Sequence, residues 1–249
     1  MRLLKTALAL TFLGVVGSAF AADNFQAVRA GLPHDAIYSI DRSGDSLWAI
    51  GGHGLVLRSN SDGREWERIA SPGDFAALGM AIYKGQPVIV GQAGKVFKLS
   101  ADGESWESLD SGTEERLLDI ATLSDGSQIA VGAFGTIVKR SAGSGSFKRV
   151  AVDWDAIVED GFEPHLYDVM QTKAGTVLIA AEFGMILRSR NGGKTWSVQN
   201  TNDSSVFALH QAANGRLVGV GQAGYIISSD DEDDLEAARL LGAASFRMD

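Results

Sequence analysis

Apolar residues in this chain come in short runs, paired around a tetrapeptide that ends in glycine. The tetrapeptides are Gly51-Gly52-His53-Gly54, Gly91-Gln92-Ala93-Gly94, Gly132-Ala133-Phe134-Gly135, Ala181-Glu182-Phe183-Gly184 and Gly221-Gln222-Ala223-Gly224. Their last glycines are 40, 41, 49 and 40 residues apart. A period near 40 falls in the range of four-stranded propeller blades. After each last glycine the second position is Val56, Val96, Ile137, Ile186 or Ile226, and the third is Leu57, Phe97, Val138, Leu187 or Ile227. Adjacent apolar positions face opposite sides of a strand, so both sides are buried, and β-branching at the second suits a strand better than a helix.

A second apolar run precedes each tetrapeptide, as in Leu47 to Ile50 and Val177 to Ala180. Before it comes a turn of hairpin type, such as Asp125-Gly126 or Asn214-Gly215, where positive φ angles are readily taken. Earlier still is a further strand, from Ile37-Tyr38-Ser39-Ile40 in the first repeat to Val206-Phe207-Ala208-Leu209 in the fifth. A fourth strand follows a glycine turn and opens on Trp66, Trp106, Phe147 or Trp196. The reading is all-β: a propeller of five four-stranded blades over residues 23–229. The fifth repeat lacks its last strand, because Asp230 to Asp234 replace the glycine turn, while Phe25 to Ala30 form a spare strand-like piece. Pairing the two would close the ring and cover its edges; the alternative is an incomplete arc. Residues 230–249 form an acidic tail in which Leu235 to Leu241 are expected to be a short helix, capped by Asp233 or Asp234 and ended at Gly242.

Residues 1–22 stand outside this pattern. Arg2 and Lys5, the apolar Leu8 to Val16 and the small-x-small Ala19-Phe20-Ala21 have the form of a secretory signal cleaved near Ala21 or Ala22. The expected location is the periplasm, at most peripheral to a membrane. Composition narrows the partners. A formal net charge of −9, more negative once Arg2 and Lys5 are removed, argues against nucleic acid. There is no cysteine, hence no disulfide. No cofactor or metal is implied, and a monomer is expected.

The turn Ser189-Arg190-Asn191-Gly192-Gly193-Lys194-Thr195-Trp196 resembles the Asp-box, or BNR repeat, Ser-x-Asp-x-Gly-x-Thr-Trp. Ser59 to Trp66, Leu99 to Trp106 and Ser141 to Phe147 are decayed copies. Together with Gly-x-x-Gly-x-Ile-x-Arg-Ser, this makes the chain similar to the photosystem II stability/assembly factor family. That family comprises exported propellers, usually seven-bladed, which assist the building of a membrane complex. The resemblance implies a binding protein, not an enzyme, that assists assembly or stabilisation of a membrane or envelope complex. The Asp-box also occurs in sialidases, which leaves a glycan-acting or glycan-binding protein as the alternative. Tyr38 and Tyr167 are candidate nucleophiles for that reading. The arginine triad is missing from the inner strands, and Arg42 and Arg216 sit at turns on the other edge.

Two groups of residues are candidates for protein contact. Loops between blades share an edge with the tetrapeptides, which places His53, Phe134, Glu182 and Phe183 there. The long spacing adds a loop from Asp153 to His165, with Trp154, Asp155, Phe162 and His165 offering aromatics and acids. Long loops on a rigid scaffold concentrate function, and an exposed aromatic anchor suits a protein contact; a solvated acidic loop is the alternative. A metal site on Asp155, Glu159, Asp160 and His165 lacks a recognised spacing. Trp154 and Phe183 are the stacking platforms of the glycan reading. The second group is an arc of basic residues four positions after each last glycine, Arg58, Lys98, Lys139 and Arg188. In the resembled family a strand arginine recurs here and an arginine patch is associated with client binding. Inter-blade hydrogen bonds or ion pairs to the next Asp-box turn are the alternative.

Overall fold

The computed structural model describes residues 36–158, 161–199 and 203–232. The segment read as a secretory signal, the strand expected at Phe25 to Ala30, the helix expected at Leu235 to Leu241 and residues Glu159 and Asp160 lie outside them. Blade one is β1 (Ile37–Ser43), β2 (Ser46–Gly51), β3 (Val56–Ser59) and β4 (Glu67–Arg68). Blade two is β5 (Ala77–Tyr83), β6 (Gln86–Gly91), β7 (Val96–Leu99) and β8 (Trp106–Leu109). Blade three is β9 (Leu117–Thr122), β10 (Gln128–Gly132), β11 (Ile137–Arg140) and β12 (Lys148–Arg149). Blade four is β13 (Leu166–Gln171), β14 (Val177–Ala181), β15 (Ile186–Ser189) and β16 (Ser197–Val198). Blade five holds β17 (Val206–Gln211), β18 (Leu217–Gly221) and β19 (Ile226–Ser229). Every sheet is an antiparallel meander in sequence order, four-stranded in blades one to four and three-stranded in blade five. No helix of the described residues is long and apolar enough to cross a membrane.

The core lies between blades, which is why both faces of the inner strands are apolar. Ile50 and Val56 of blade one meet Phe75, Met80 and Ile89 of the second. Val88 and Val90 meet Leu117, Ile120 and Ala130 of the third. Ile129 and Ile137 meet Leu166, Val169 and Leu187 of the fourth. Leu178 and Ile186 meet Val206, Leu217 and Ile227 of the fifth.

The tetrapeptides hold the blades in this arrangement. In blade two the Gly91 amide donates to the Lys95 carbonyl, Lys95 to the Gln92 carbonyl and Gln92 to Ala76, just before β5. The same three bonds recur in the other four blades. The last glycine faces the loop that enters the next blade. A Cβ built on Gly94 would lie 1.9 Å from the Thr113 carbonyl oxygen, and one on Gly54 2.0 Å from that of Gly73. These glycines are also left-handed, at φ 62° and 64°, so two constraints demand them. At Gly224 the conformation is kept, φ 76°, but a Cβ would meet no atom of the described residues within 4 Å.

That openness belongs to a pattern. Ile40 of β1 is 60 % exposed where its equivalent Met80 is 5 % exposed, and Val220 of β18 is 46 % exposed where Ile50 is fully buried. First strands pack on one another from blade one through blade five. Among the described residues no packing of that extent joins blade five to blade one. The blade count and sheet topology are as the sequence predicts, and the third strand of blade five is the last described. The strand expected to seal the ring is one of those outside the described residues.

Gly94→Ala is expected to destabilise the protein by about 3 kcal/mol, from backbone overlap added to left-handed strain. Gly224→Ala should lose about 1 kcal/mol, the conformational part alone. Urea unfolding of the two variants beside wild type checks the difference.

Candidate functional site

The edge that carries the tetrapeptides also carries the exposed aromatics. In all five tetrapeptides the third residue is left-handed: His53 at φ 54°, Ala93 at 53°, Phe134 at 51°, Phe183 at 55° and Ala223 at 54°. Glycine would take this conformation freely, whereas a bulky L residue pays about 1 kcal/mol for it. Three blades nevertheless place a large side chain there, and it points away from the core. Phe134 is 55 % exposed and Phe183 50 %, which adds the cost of leaving apolar surface in water.

Around these two residues lies a continuous strip. The Phe134 ring meets His165 edge-on at 5.1 Å, and the Phe134 amide donates to His165 Nδ1 at 3.2 Å. Phe162, from the long loop, meets Phe183 at 5.4 Å. Tyr167 of β13 meets the exposed Phe207 of β17 at 5.1 Å. Glu182 stands among them: its Oε2 accepts the His165 amide at 2.8 Å, and its Oε1 lies 3.5 Å from the Tyr167 hydroxyl. In blade one, His53 Nδ1 is 3.1 Å from Asp74 Oδ1, beside a cleft of about 340 Å³ lined also by Tyr38 and Gln92. Phe134, Phe162, His165, Glu182 and Phe183 are thus brought together as the sequence places them, with Asp155 exposed on the same loop. Phe207 was not among the candidates. Its signal was an aromatic at the second position of a first strand, the place held by Tyr38 and Tyr167.

Trp154 is a correction. It is 7 % exposed and packs with Ile129, Leu166 and Met185 between blades three and four. A Cβ on Gly135 would strike its indole at 2.6 Å. The tryptophan fills the space left by that glycine, so it serves neither as an exposed anchor nor as a stacking platform.

The basic arc is engaged within the fold. Arg58 pairs with Glu67 on the neighbouring β4 at 2.5 Å and lies over the Trp48 ring at 5.5 Å. Lys139 Nζ donates to the Gly192 carbonyl at 2.6 Å, in the Asp-box turn of the next blade. Arg188 donates to the Glu232 carbonyl at 3.1 Å, where the acidic segment crosses it. Lys98 faces Glu107 across the β7–β8 register. The Asp-box turn itself is tied by side chains: Ser189 Oγ accepts from the Gly193 amide at 2.8 Å, and Asn191 Oδ1 accepts from Lys194 and Thr195 at 3.0 Å.

For glycosidic chemistry the relevant pair is Tyr167 with Glu182. Burial, and then the Glu182 charge, raise the phenol above its ordinary value, which disfavours the phenolate a nucleophile requires. Arg42 is paired with Asp62 and Arg216 with Asp230, both at turns on the opposite edge. Among the described residues no group of three acidic or histidine side chains is placed to hold a metal.

The inner wall holds a feature the sequence reading passed over. Asp119 of β9 and Asp168 of β13 occupy equivalent positions and hydrogen-bond to each other. Each also reaches the next blade: Asp119 Oδ2 accepts the Val169 amide at 2.9 Å, and Asp168 Oδ2 the Leu209 amide at 2.7 Å. Burial pushes the Asp119 carboxyl well above the usual carboxylate range, and the adjacent Asp168 charge adds to it. Burial raises Asp168 as well, against the hydrogen bonds it accepts. One proton held by Asp119 and donated to Asp168 satisfies both groups.

The described geometry has counterparts among known proteins. The family model for the photosynthesis system II assembly factor YCF48 matches residues 26–144. The structure of YCF48 bound to a D1 peptide is similar at a TM-score of 0.61 and 17 % identity, over 82 % of this chain and 66 % of that one. The chain therefore spans just under two thirds of that protein's length. YCF48 from Cyanidioschyzon merolae gives 0.60 and 16 %, over 86 % and 73 %. Virginiamycin B lyase from Staphylococcus aureus, as an inactive variant with quinupristin, gives 0.64 and 16 %, over 79 % and 68 %. No curated protein matches the sequence. An enzyme among such neighbours illustrates that the propeller scaffold carries no activity by itself.

The pair Asp119–Asp168 makes stability pH-dependent with a definite sign. A native state that binds a proton more tightly than the unfolded chain is favoured at low pH. Its contribution is complete below the ordinary value of 3.8 and is lost as pH rises through the elevated native value. Asp119→Asn keeps one acceptor and one donor without titrating. Its unfolding free energy is expected to fall less than that of wild type between acid and neutral pH, whereas Asp119→Ala should be destabilised throughout. Urea titrations across that range measure both.

Proposed function

We propose that this chain, a YCF48-like BNR-repeat β-propeller, is an exported binding protein that holds a segment of a membrane or envelope protein complex while the complex is built or maintained. The observation that carries the proposal is the pair Phe134 and Phe183. Each is exposed, and each is held in a left-handed conformation that glycine would take without strain. A side chain that costs stability twice and supports no core is explained by a partner that covers it. The YCF48 structure with a bound D1 peptide supports the kind of role, since that relative engages a peptide. Arg2, Lys5 and the apolar stretch to Val16 support export to the periplasm.

The test is made in the cell of origin. Native electrophoresis of membrane complexes is expected to show at least one depleted when the protein is deleted. Restoring wild type should recover it, and restoring the Phe134→Ser/Phe183→Ser variant should not. The variant should melt within a few degrees of wild type, because neither ring supports the core. Unchanged complexes after deletion would falsify the assembly role.

A further inference from the structure

The chemistry of the loop edge specifies more than a hydrophobic partner. At this edge the described lysines and arginines are Lys95, just after the second tetrapeptide, Arg116 in an inter-blade loop, and Arg68 and Arg149 where β4 and β12 run into such loops; the Lys95 ammonium already lies over the Phe75 ring at 5.6 Å. Carboxylates are frequent in the same loops. Asp155 and Glu163 are exposed on the long loop, and Glu182 is half-buried between Tyr167 and His165. The aromatic rings are interleaved with these acids and do not stand apart from them. The Phe134–His165 contact lies on one side of Glu182 and the Tyr167–Phe207 contact on the other. A carboxylate framed by exposed ring faces attracts an ammonium or guanidinium through charge and through the ring quadrupoles together. The surrounding apolar surface takes the aliphatic stem of the same side chain.

We infer that this edge receives a cationic segment of polypeptide, with lysine or arginine side chains at Asp155, Glu163 and Glu182 and apolar side chains against Phe134, Phe183 and Phe207. The inference rests on the reading of this edge as the binding surface and adds the chemistry of its occupant. Charge complementarity decides between occupants. An acidic segment would meet like charge at the rim, and a neutral apolar one would take water from the exposed Asp155 and Glu163 carboxylates without offering a countercharge.

Fluorescence anisotropy with two labelled synthetic peptides tests it, one alternating lysine with leucine and phenylalanine, the other with glutamate for every lysine. The lysine peptide is expected to bind, and to bind more weakly as salt rises. The glutamate peptide should not bind. The variant Asp155→Asn/Glu163→Gln/Glu182→Gln is expected to raise the Kd for the lysine peptide about tenfold. A control with equal charge change on the opposite edge, Asp45→Asn/Glu65→Gln/Glu104→Gln, should shift it less than about twofold. Failure of the lysine peptide to bind, equal binding of the glutamate peptide, or equal weakening by the two triple variants overturns the inference. Thermal melts of each variant confirm folding. The two layers separate through Phe134→Ser/Phe183→Ser. Wild-type peptide binding by that variant, with membrane complexes intact, removes the binding edge itself. If its complexes are lost while those of the loop-edge triple variant are kept, only the cationic occupant is removed.

Discussion

Three backbone hydrogen bonds within and beside each tetrapeptide set the geometry on which the rest of the molecule depends. They bend the chain sharply between the second and third strands and bind the bend to the start of the first strand. The final glycine then admits the incoming loop of the next blade at a distance no side chain would allow. Blades can approach closely enough to bury both faces of their inner strands only because of this fit. The apolar clusters between blades are therefore a consequence of a backbone contact, and their composition varies freely: Trp154 fills one junction and Phe75 another. The same bend fixes the preceding residue in a left-handed conformation, so a requirement of folding creates the positions from which the loop edge projects its rings.

Polar links reinforce the junctions at two radii. Near the axis, Asp119 and Asp168 each accept an amide from the following blade and hydrogen-bond to each other, with burial raising both carboxyls above the usual range. Farther out, Lys139 reaches the next Asp-box turn. A like-charged pair tolerated beside apolar packing is stable when one member stays neutral and every lone pair that matters is used. The equivalent position of blade two is Gly79, where a Cβ would lie 2.5 Å from the Asp119 Cα. Closer approach of the strands there replaces the carboxylate link.

The sequence makes the periodic features legible and hides the ones that arise between periods. The tetrapeptides, the paired apolar runs and the glycine turns repeat five times, so blade number and strand order follow from spacing. Phe134 and Phe183 could be placed on the loop edge by the same register, though their exposure at positive φ could not be read. Trp154 misled because a long loop rich in acids resembles a solvent-facing one. What buries it is Gly135, a residue of another segment whose missing side chain leaves a slot of indole width. The basic arc carried two readings, and at Lys139 the contact is the one to the next Asp-box turn. Regular spacing of Arg58, Lys98, Lys139 and Arg188 signals a shared structural position; Gly192 lies in the Asp-box turn that the repeat points to, whereas Glu67 and Glu232 are partners the spacing cannot name. Asp119 and Asp168 were visible as acids inside apolar strands at matching repeat positions, and their coupling follows only from the approach of successive blades.

The left-handed third residue of each tetrapeptide also separates two kinds of constraint, one on the backbone and one on the side chain. Its backbone is dictated by neighbours on either side, while its side chain leaves the scaffold without contributing to any inter-blade core. Histidine, alanine and phenylalanine already occupy it in this one chain. The displayed side chain can therefore drift, or be redesigned, one blade at a time. Five such positions along one edge of the described blades amount to a short code, rewritable without renegotiating the architecture that displays it.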